Sequence, residues 1–384
     1  GSGISGSSLE FVIYRLVGGL AVGAASILAP AYISEIAPAK IRGRLATLQQ
    51  LMIVIGLLAA FMSNYWLVGL SGGASEAHWS GFQTWQWMFW AEIIPASIFL
   101  IVLLFIPESP RYLVAAGETE RAKLVLSSIS NENAAVAKVQ DIKSTLREGS
   151  KPKLSDVISK YTGKVHALVW VGLGLAILQQ FTGINVIFYY GATLWKAAGF
   201  TEADALLTNV ISGSVNIFFT FVAIVLIDRV GRKPLLLVGS LGQAVMLGVL
   251  AYIFGSASLD TAGNLMLSDQ MGTLALVTAN AYIAFFAFSW GPVMWVMLGE
   301  MFPNQYRGAA LALAGLAQWM IANFGITMTF PIMLKSLGLG FSYGVYAFFG
   351  IVAYFFVRFF VKETKGRTLE DMSREQDLAE QQAQ

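Results

Sequence analysis

Nine stretches of this chain are apolar over the thickness of a bilayer, and that restricts its fold more than any other feature. They lie at about 9–34, 41–68, 85–106, 164–191, 203–227, 234–255, 271–298, 309–332 and 341–361. About 20 apolar residues in a helix cover the roughly 30 Å hydrocarbon core. Lipid offers the backbone no hydrogen bonds, so each run must satisfy its own N–H and C=O groups as a helix. Charged residues make up only 12% of the chain, where a soluble domain carries about 25%. These features predict an all-α, polytopic membrane helix bundle.

Lysine and arginine orient it. The loops at 35–44, 107–166, 228–234, 299–308 and 358–384 hold 22 of the 25 basic residues. Basic loops face the cytoplasm, so the chain is expected to start outside and end inside, in the inner (plasma) membrane. The expected order is a short tail of a preceding span or a cloning remnant (1–8), spans of one half (9–106), a cytoplasmic linker (107–162), a second transmembrane half (163–361) and a cytoplasmic tail (362–384). The linker mixes acids, bases and helix formers, as in Glu118-Thr119-Glu120-Arg121, which reads as short amphipathic helices.

Several chemistries lack their residues. The chain has no cysteine and two histidines, His78 and His166, in different loops, so no metal site or disulfide framework is expected. It shows no phosphate loop, dinucleotide fingerprint or zinc-protease pattern. An enzyme, a cofactor and a nucleic-acid partner are therefore not expected. The net charge of +2 follows from membrane topology.

The most informative run is Gln179-Gln180-Phe181-Thr182-Gly183-Ile184-Asn185, followed closely by Tyr189 and Tyr190. An amide in hydrocarbon without a partner costs about 2–7 kcal/mol, so this cluster should face protein, water or a ligand. Amides and phenols donate and accept hydrogen bonds without charge, which suits a neutral, hydroxyl-rich solute. An unbroken helix would set Gln180 and Asn185 about 140° apart. A break at Thr182-Gly183 would let both line one cavity. Other spans add Gln49 and Gln50, Asn209 and Asn216, Gln318, Trp319 and Asn323. A kink is expected at Gly291-Pro292, one turn before Trp295, whose face can carry the apolar side of a sugar.

Charges within or beside the spans form a second set. Glu92 lies inside its span, where a carboxylate costs about 2.5–3.5 kcal/mol at the centre. Arg15, the only basic residue more than three positions inside a span, is either its counter-ion or a snorkelling anchor. A repeat runs Glu35…Pro38…Arg42-Gly43 and Glu300…Pro303…Arg307-Gly308. Each copy is followed by two spans and an acidic and basic exit, Pro107-Glu108-Ser109-Pro110-Arg111 and Lys362-Glu363-Thr364-Lys365. With Asp228 and Arg232 these residues are expected to form a cytoplasmic gate. As solvated surface pairs they would contribute only about 0–1 kcal/mol each. Beyond the span that directly adjoins each copy, three spans (164–255) precede the second and none precedes the first, so two equal halves would need three more spans before Leu9.

Taken together, Pro-Glu-Ser-Pro-Arg, Gln-Gln-x-x-Gly-x-Asn, Gly-Arg-Lys, Gly-Pro-x-x-Trp and the repeated Glu…Arg-Gly resemble the sugar porter family of the major facilitator superfamily, over nearly all of 11–372. Lys362 stands where the family usually has proline. The resemblance implies a monosaccharide carrier in a lipid bilayer, a monomer working by alternating access, with two halves rocking about the sugar. It places sugar contacts on Gln50, Gln179, Gln180, Asn185, Tyr189, Asn216, Trp295, Gln318 and Trp319, with Asn323 a weaker candidate. In proton-coupled members an aspartate of the first span works with an arginine and a glutamate that match Arg15 and Glu92, so proton symport is implied. Leu57 is aliphatic, as in glucose carriers, which favours a hexose over a pentose such as xylose. A facilitative uniporter, a polyol or inositol carrier and a sugar sensor are the alternatives.

Overall fold

The computed structural model describes residues 1–36, 42–129, 131–148, 154–159, 163–197, 200–259, 265–303 and 306–365, and the side chains of Glu35, Arg42 and Gln49 fall outside that description. The described residues form two compact units, Gly1–Lys151 and Pro152–Gln384. Eight helical stretches among them are long and apolar enough to cross a membrane. The last, Arg307–Phe360, has 54 residues, about 80 Å of helix against a core of about 30 Å. Gly338, at φ 81° and ψ 171°, interrupts it between the eighth and ninth apolar runs.

The first unit holds α1 (Ser8–Ile36), α2 (Arg42–Ser71), α3 (Thr84–Ala91), α4 (Ile93–Phe105), α5 (Pro110–Ala115), α6 (Thr119–Ser127) and α7 (Glu132–Glu148). The run 85–106 is thus two helices meeting at Glu92. Pro95 has no N–H to offer the carbonyl of Ala91, which weakens the helix where α3 ends. Helix α5 starts on a proline, and Ser109 Oγ accepts from the Tyr112 N–H at 3.2 Å. Helices α5 to α7 bury Leu113, Val114, Ala122, Leu126, Ala135, Val139 and Ile142 as a small core of their own. The expected amphipathic linker helices therefore pack as a module. Lys123 pairs with Glu132 at 2.9 Å on its surface.

The second unit holds α8 (Ala167–Phe181), α9 (Ile184–Ala197), α10 (Glu202–Val230), α11 (Arg232–Ser256), α12 (Asp269–Ala287), α13 (Trp290–Met301), α14 (Arg307–Leu316) and α15 (Phe324–Phe360). A two-stranded hairpin, β1 (Ser258–Leu259) against β2 (Leu265–Met266), joins α11 to α12. A π-helical segment, Ala317–Asn323, links α14 to α15. The core is built from fully buried large side chains, among them Leu236, Leu247, Tyr282, Trp290, Met294, Phe302 and Phe330. Phe218, Tyr252 and Phe359 are exposed, as expected of side chains that meet lipid rather than protein.

Candidate functional site

The polar residues of the second unit converge where three of its spans leave regular α-helix. Helix α8 ends at Phe181, Gly183 adopts φ 84°, and α9 begins at Ile184. The break expected at Thr182-Gly183 is present, and its backbone groups are satisfied. The Gly183 N–H donates to Gln180 O at 2.8 Å, Thr182 Oγ1 to Gln179 O at 2.9 Å, and Tyr282 Oη to Thr182 O at 2.7 Å. The second break lies at Ser289 (φ −127°, ψ −90°), just before α13. It sits ahead of the expected Gly291-Pro292, because Pro292 leaves the Phe288 carbonyl without its helical donor. The third is the π segment. Its turn closes residue i onto i+5, which brings Gln318 and Asn323 toward one side where an α-helix would set them about 140° apart. Nothing in the sequence pattern announced it.

These breaks assemble a chain of uncharged amides. Gln179 Nε2 donates to the Trp290 carbonyl at 2.9 Å. Gln179 Oε1 accepts from Gln180 Nε2 at 3.4 Å and from Gln318 Nε2. Gln180 Oε1 accepts from Asn185 Nδ2 at 2.5 Å. Gln318 Oε1 is buried with no hydrogen-bond partner among the described residues. A buried carbonyl of this kind costs about 1–3 kcal/mol when left unpaired, so it marks a position where an incoming hydroxyl is favoured. Asn323 Oδ1 accepts from Thr327 Oγ1 at 3.0 Å, and Tyr190 Oη donates to Thr327 O at 2.9 Å. Tyr190, which had no assigned role, thereby ties α9 to α15.

Of the expected sugar contacts, the structure links Gln179, Gln180, Asn185 and Gln318 directly. Asn216 is buried in α10, Trp295 is half-buried, and Tyr189 and Trp319 keep 54% and 48% of their surface exposed. Gln50 is half-buried in α2 of the first unit. Within the same unit Arg15 approaches Glu92 at 3.7 Å, with side chains 52% and 67% exposed, and its guanidinium lies 5.5 Å from the Phe89 ring.

The expected gate residues divide. Asp228, Arg232, Glu300 and Glu363 form one network at the helix ends of the second unit. Arg232 holds Glu300 through Nε at 3.0 Å and a second nitrogen at 2.7 Å, and pairs with Asp228 at 3.0 Å. Thr364 Oγ1 donates to Glu300 at 2.6 Å. Glu363 accepts the backbone N–H groups of Arg232, Lys233, Thr364 and Lys365 at 2.9–3.0 Å, so it caps α11 where helix N–H groups lack partners. All these partners belong to the second unit, and the network joins α10, α11, α13 and the end of α15 within it. Arg307 opens α14, and Glu108, just before α5, and Arg111, within it, are exposed. Glu35 and Arg42 have side chains outside the described set.

Partial burial alone would raise the Glu363 carboxyl, but the four N–H donors outweigh it and hold its pKa below the ordinary 4.5. A depressed carboxylate adds stability above 4.5 that is lost as pH falls through its lower folded value. Thermal unfolding followed from neutral pH down through 4.5 should show stability falling, and Glu363→Gln should flatten that part of the profile. An unchanged profile would remove Glu363 as its source.

The comparisons agree with this geometry. The sequence model of the sugar (and other) transporter family matches residues 2–375. A glucose transport protein of Synechocystis sp. is 48% identical over 373 residues, 97% of this chain and 79% of that protein. The D-xylose-proton symporter of Escherichia coli K12 is 42% identical over 375 residues, 96% of this chain and 72% of its own length. The solved structure of the proton:xylose symporter XylE bound to 6-bromo-6-deoxy-D-glucose superposes with a TM-score of 0.76 at 39% identity, covering 95% of this chain and 74% of that one. The apolar helices, the broken spans with their amides and the match along almost the whole sequence lead to one conclusion: this multi-pass membrane protein belongs to the sugar (and other) transporter family and has the major facilitator fold.

Proposed function

We propose that the protein carries a monosaccharide across the plasma membrane by alternating access, as a monomer with its C-terminus in the cytoplasm, and that the preferred substrate is a hexose taken up with a proton. The observation that carries this reading is the amide chain of Gln179, Gln180, Asn185 and Gln318, with its buried unpaired acceptor. Uncharged donors and acceptors replace the water around sugar hydroxyls without the desolvation cost of a charge. Trp295, half-buried, supplies an apolar ring face. The preference for a hexose is supported by Leu57 and by the glucose transport protein at 48% identity. Proton coupling is supported by the Arg15–Glu92 contact at 3.7 Å, a carboxylate beside a guanidinium within spanning segments, and by the xylose-proton symporter at 42% identity. The Arg232 network ties four helix ends together, which lets the second unit move as one body while the sugar is exposed to one side and then the other.

Labelled D-glucose and D-xylose uptake by cells lacking their own carriers tests this. Glucose should accumulate, and a protonophore should abolish accumulation. Accumulation that survives the protonophore would refute the coupling. Gln180→Ala should cut uptake by about tenfold or more at equal membrane levels, because it removes both a sugar contact and the partner of Asn185. Uptake unchanged in that variant would remove the site.

A further inference from the structure

We infer that Trp290 is a positioning residue that sets which atoms of the amide chain donate and which accept, and so contributes to sugar discrimination; this rests on the reading of the site given above. Trp290 is fully buried, and its two ends do different work. Its indole Nε1 donates to Ser240 Oγ at 2.9 Å and to Leu236 O at 3.1 Å, while Ser240 Oγ donates to Leu236 O at 2.7 Å. The ring is thus locked to α11. Its carbonyl accepts from Gln179 Nε2 at 2.9 Å.

The consequence follows from donor and acceptor counting. An amide side chain has one accepting and one donating end, and its orientation is decided by the groups it meets. A backbone carbonyl only accepts, so Gln179 must turn its nitrogen toward Trp290. Its oxygen then faces Gln180 and Gln318, and both must present nitrogen to it. That leaves Gln318 Oε1 free to accept and directs Gln180 Oε1 to Asn185. One acceptor-only group therefore propagates a polarity through three glutamines. A hydroxyl can donate to an amide oxygen or accept from an amide nitrogen, so sugars that differ in the direction of a single hydroxyl are told apart where fixed donors and acceptors are left unpaired when that hydroxyl points elsewhere. The carbonyl can hold that role only while its residue stays fixed beside the helix break at Ser289, and the indole bonds to α11 fix it.

The test compares D-glucose and D-galactose binding by calorimetry on the purified protein, alongside transport kinetics, for Gln180→Ala, Trp290→Phe and Ser240→Ala. Trp290→Phe removes the anchor and keeps an aromatic ring. It should weaken binding of the preferred epimer about tenfold and shrink the ratio between epimers by a similar factor, with maximal velocity within about twofold. Ser240→Ala keeps the indole and should move both quantities the same way by about threefold, with Ser240→Thr restoring them. Should Trp290→Phe fail to fold, the serine pair decides the matter. A residue that served packing alone would lower the melting temperature and leave the epimer ratio untouched, and that result overturns the inference. If Gln180→Ala binds as the unaltered protein does, the site itself is misplaced. If it abolishes binding while the tryptophan and serine variants keep the ratio, only the positioning role fails.

Discussion

Gly183→Val is expected to abolish glucose binding and to lower the unfolding temperature of the purified protein by more than any other single change in the site. Two independent costs add at this position. Its φ of 84° is open to glycine, and a non-glycine residue there is penalised by about 1–2 kcal/mol. A Cβ would also lie 2.8 Å from Cγ of Tyr346, and overpacking of a filled interior costs about 1–3 kcal/mol. A total of about 2–5 kcal/mol is a large part of the 5–15 kcal/mol that holds a domain folded. The chain also loses the bend that carries Asn185 back to Gln180. Gly183→Ala should show the same defect with a smaller thermal shift, since it lacks β-branching. Normal glucose affinity in both variants would show that the break does not assemble the site.

The second large effect is expected at Arg232. Its side chain is 11% exposed and meets Glu300, Asp228 and the Ile227 carbonyl. Arg232→Met removes the cation and leaves Glu300, 35% exposed, with Thr364 as its described partner. Breaking a buried pair from one side costs about 3–5 kcal/mol, so a loss of about 3 kcal/mol in unfolding free energy is expected. Asp228 contacts the same arginine at a similar distance, but its side chain is 70% exposed. Asp228→Asn should therefore cost no more than about 1 kcal/mol. Burial, rather than distance, orders the two effects. Equal losses from both substitutions, measured by thermal unfolding at one salt concentration, would contradict that ordering.

Much of this was legible before any coordinates. Hydropathy marks the spans because each residue's transfer from water to lipid depends mainly on its own side chain. Thr182-Gly183 marks a break because glycine alone adopts positive φ at little cost. The break before α13 was displaced from its expected place because a proline disrupts the helix toward its N-terminal side, at the carbonyl four residues back. The π segment had no such marker. Helix α3 likewise ends at Glu92 within a run that reads as one span.

The sequence by itself determined the membrane class, the helices, the α8 break and the residue types available for a sugar. The tertiary structure alone decided which of those residues meet. Gln179 finds Trp290 across 111 positions and Gln318 across 139, Trp290 finds Ser240 across 50, and Glu363 caps Arg232 across 131. Propensity and periodicity act over a few neighbours along the chain, whereas a hydrogen bond requires two groups within about 3 Å regardless of their separation in sequence. Tryptophan at 290 and serine at 240 look like ordinary span residues, and threonine at 364 like an ordinary tail residue, until packing brings their partners to them.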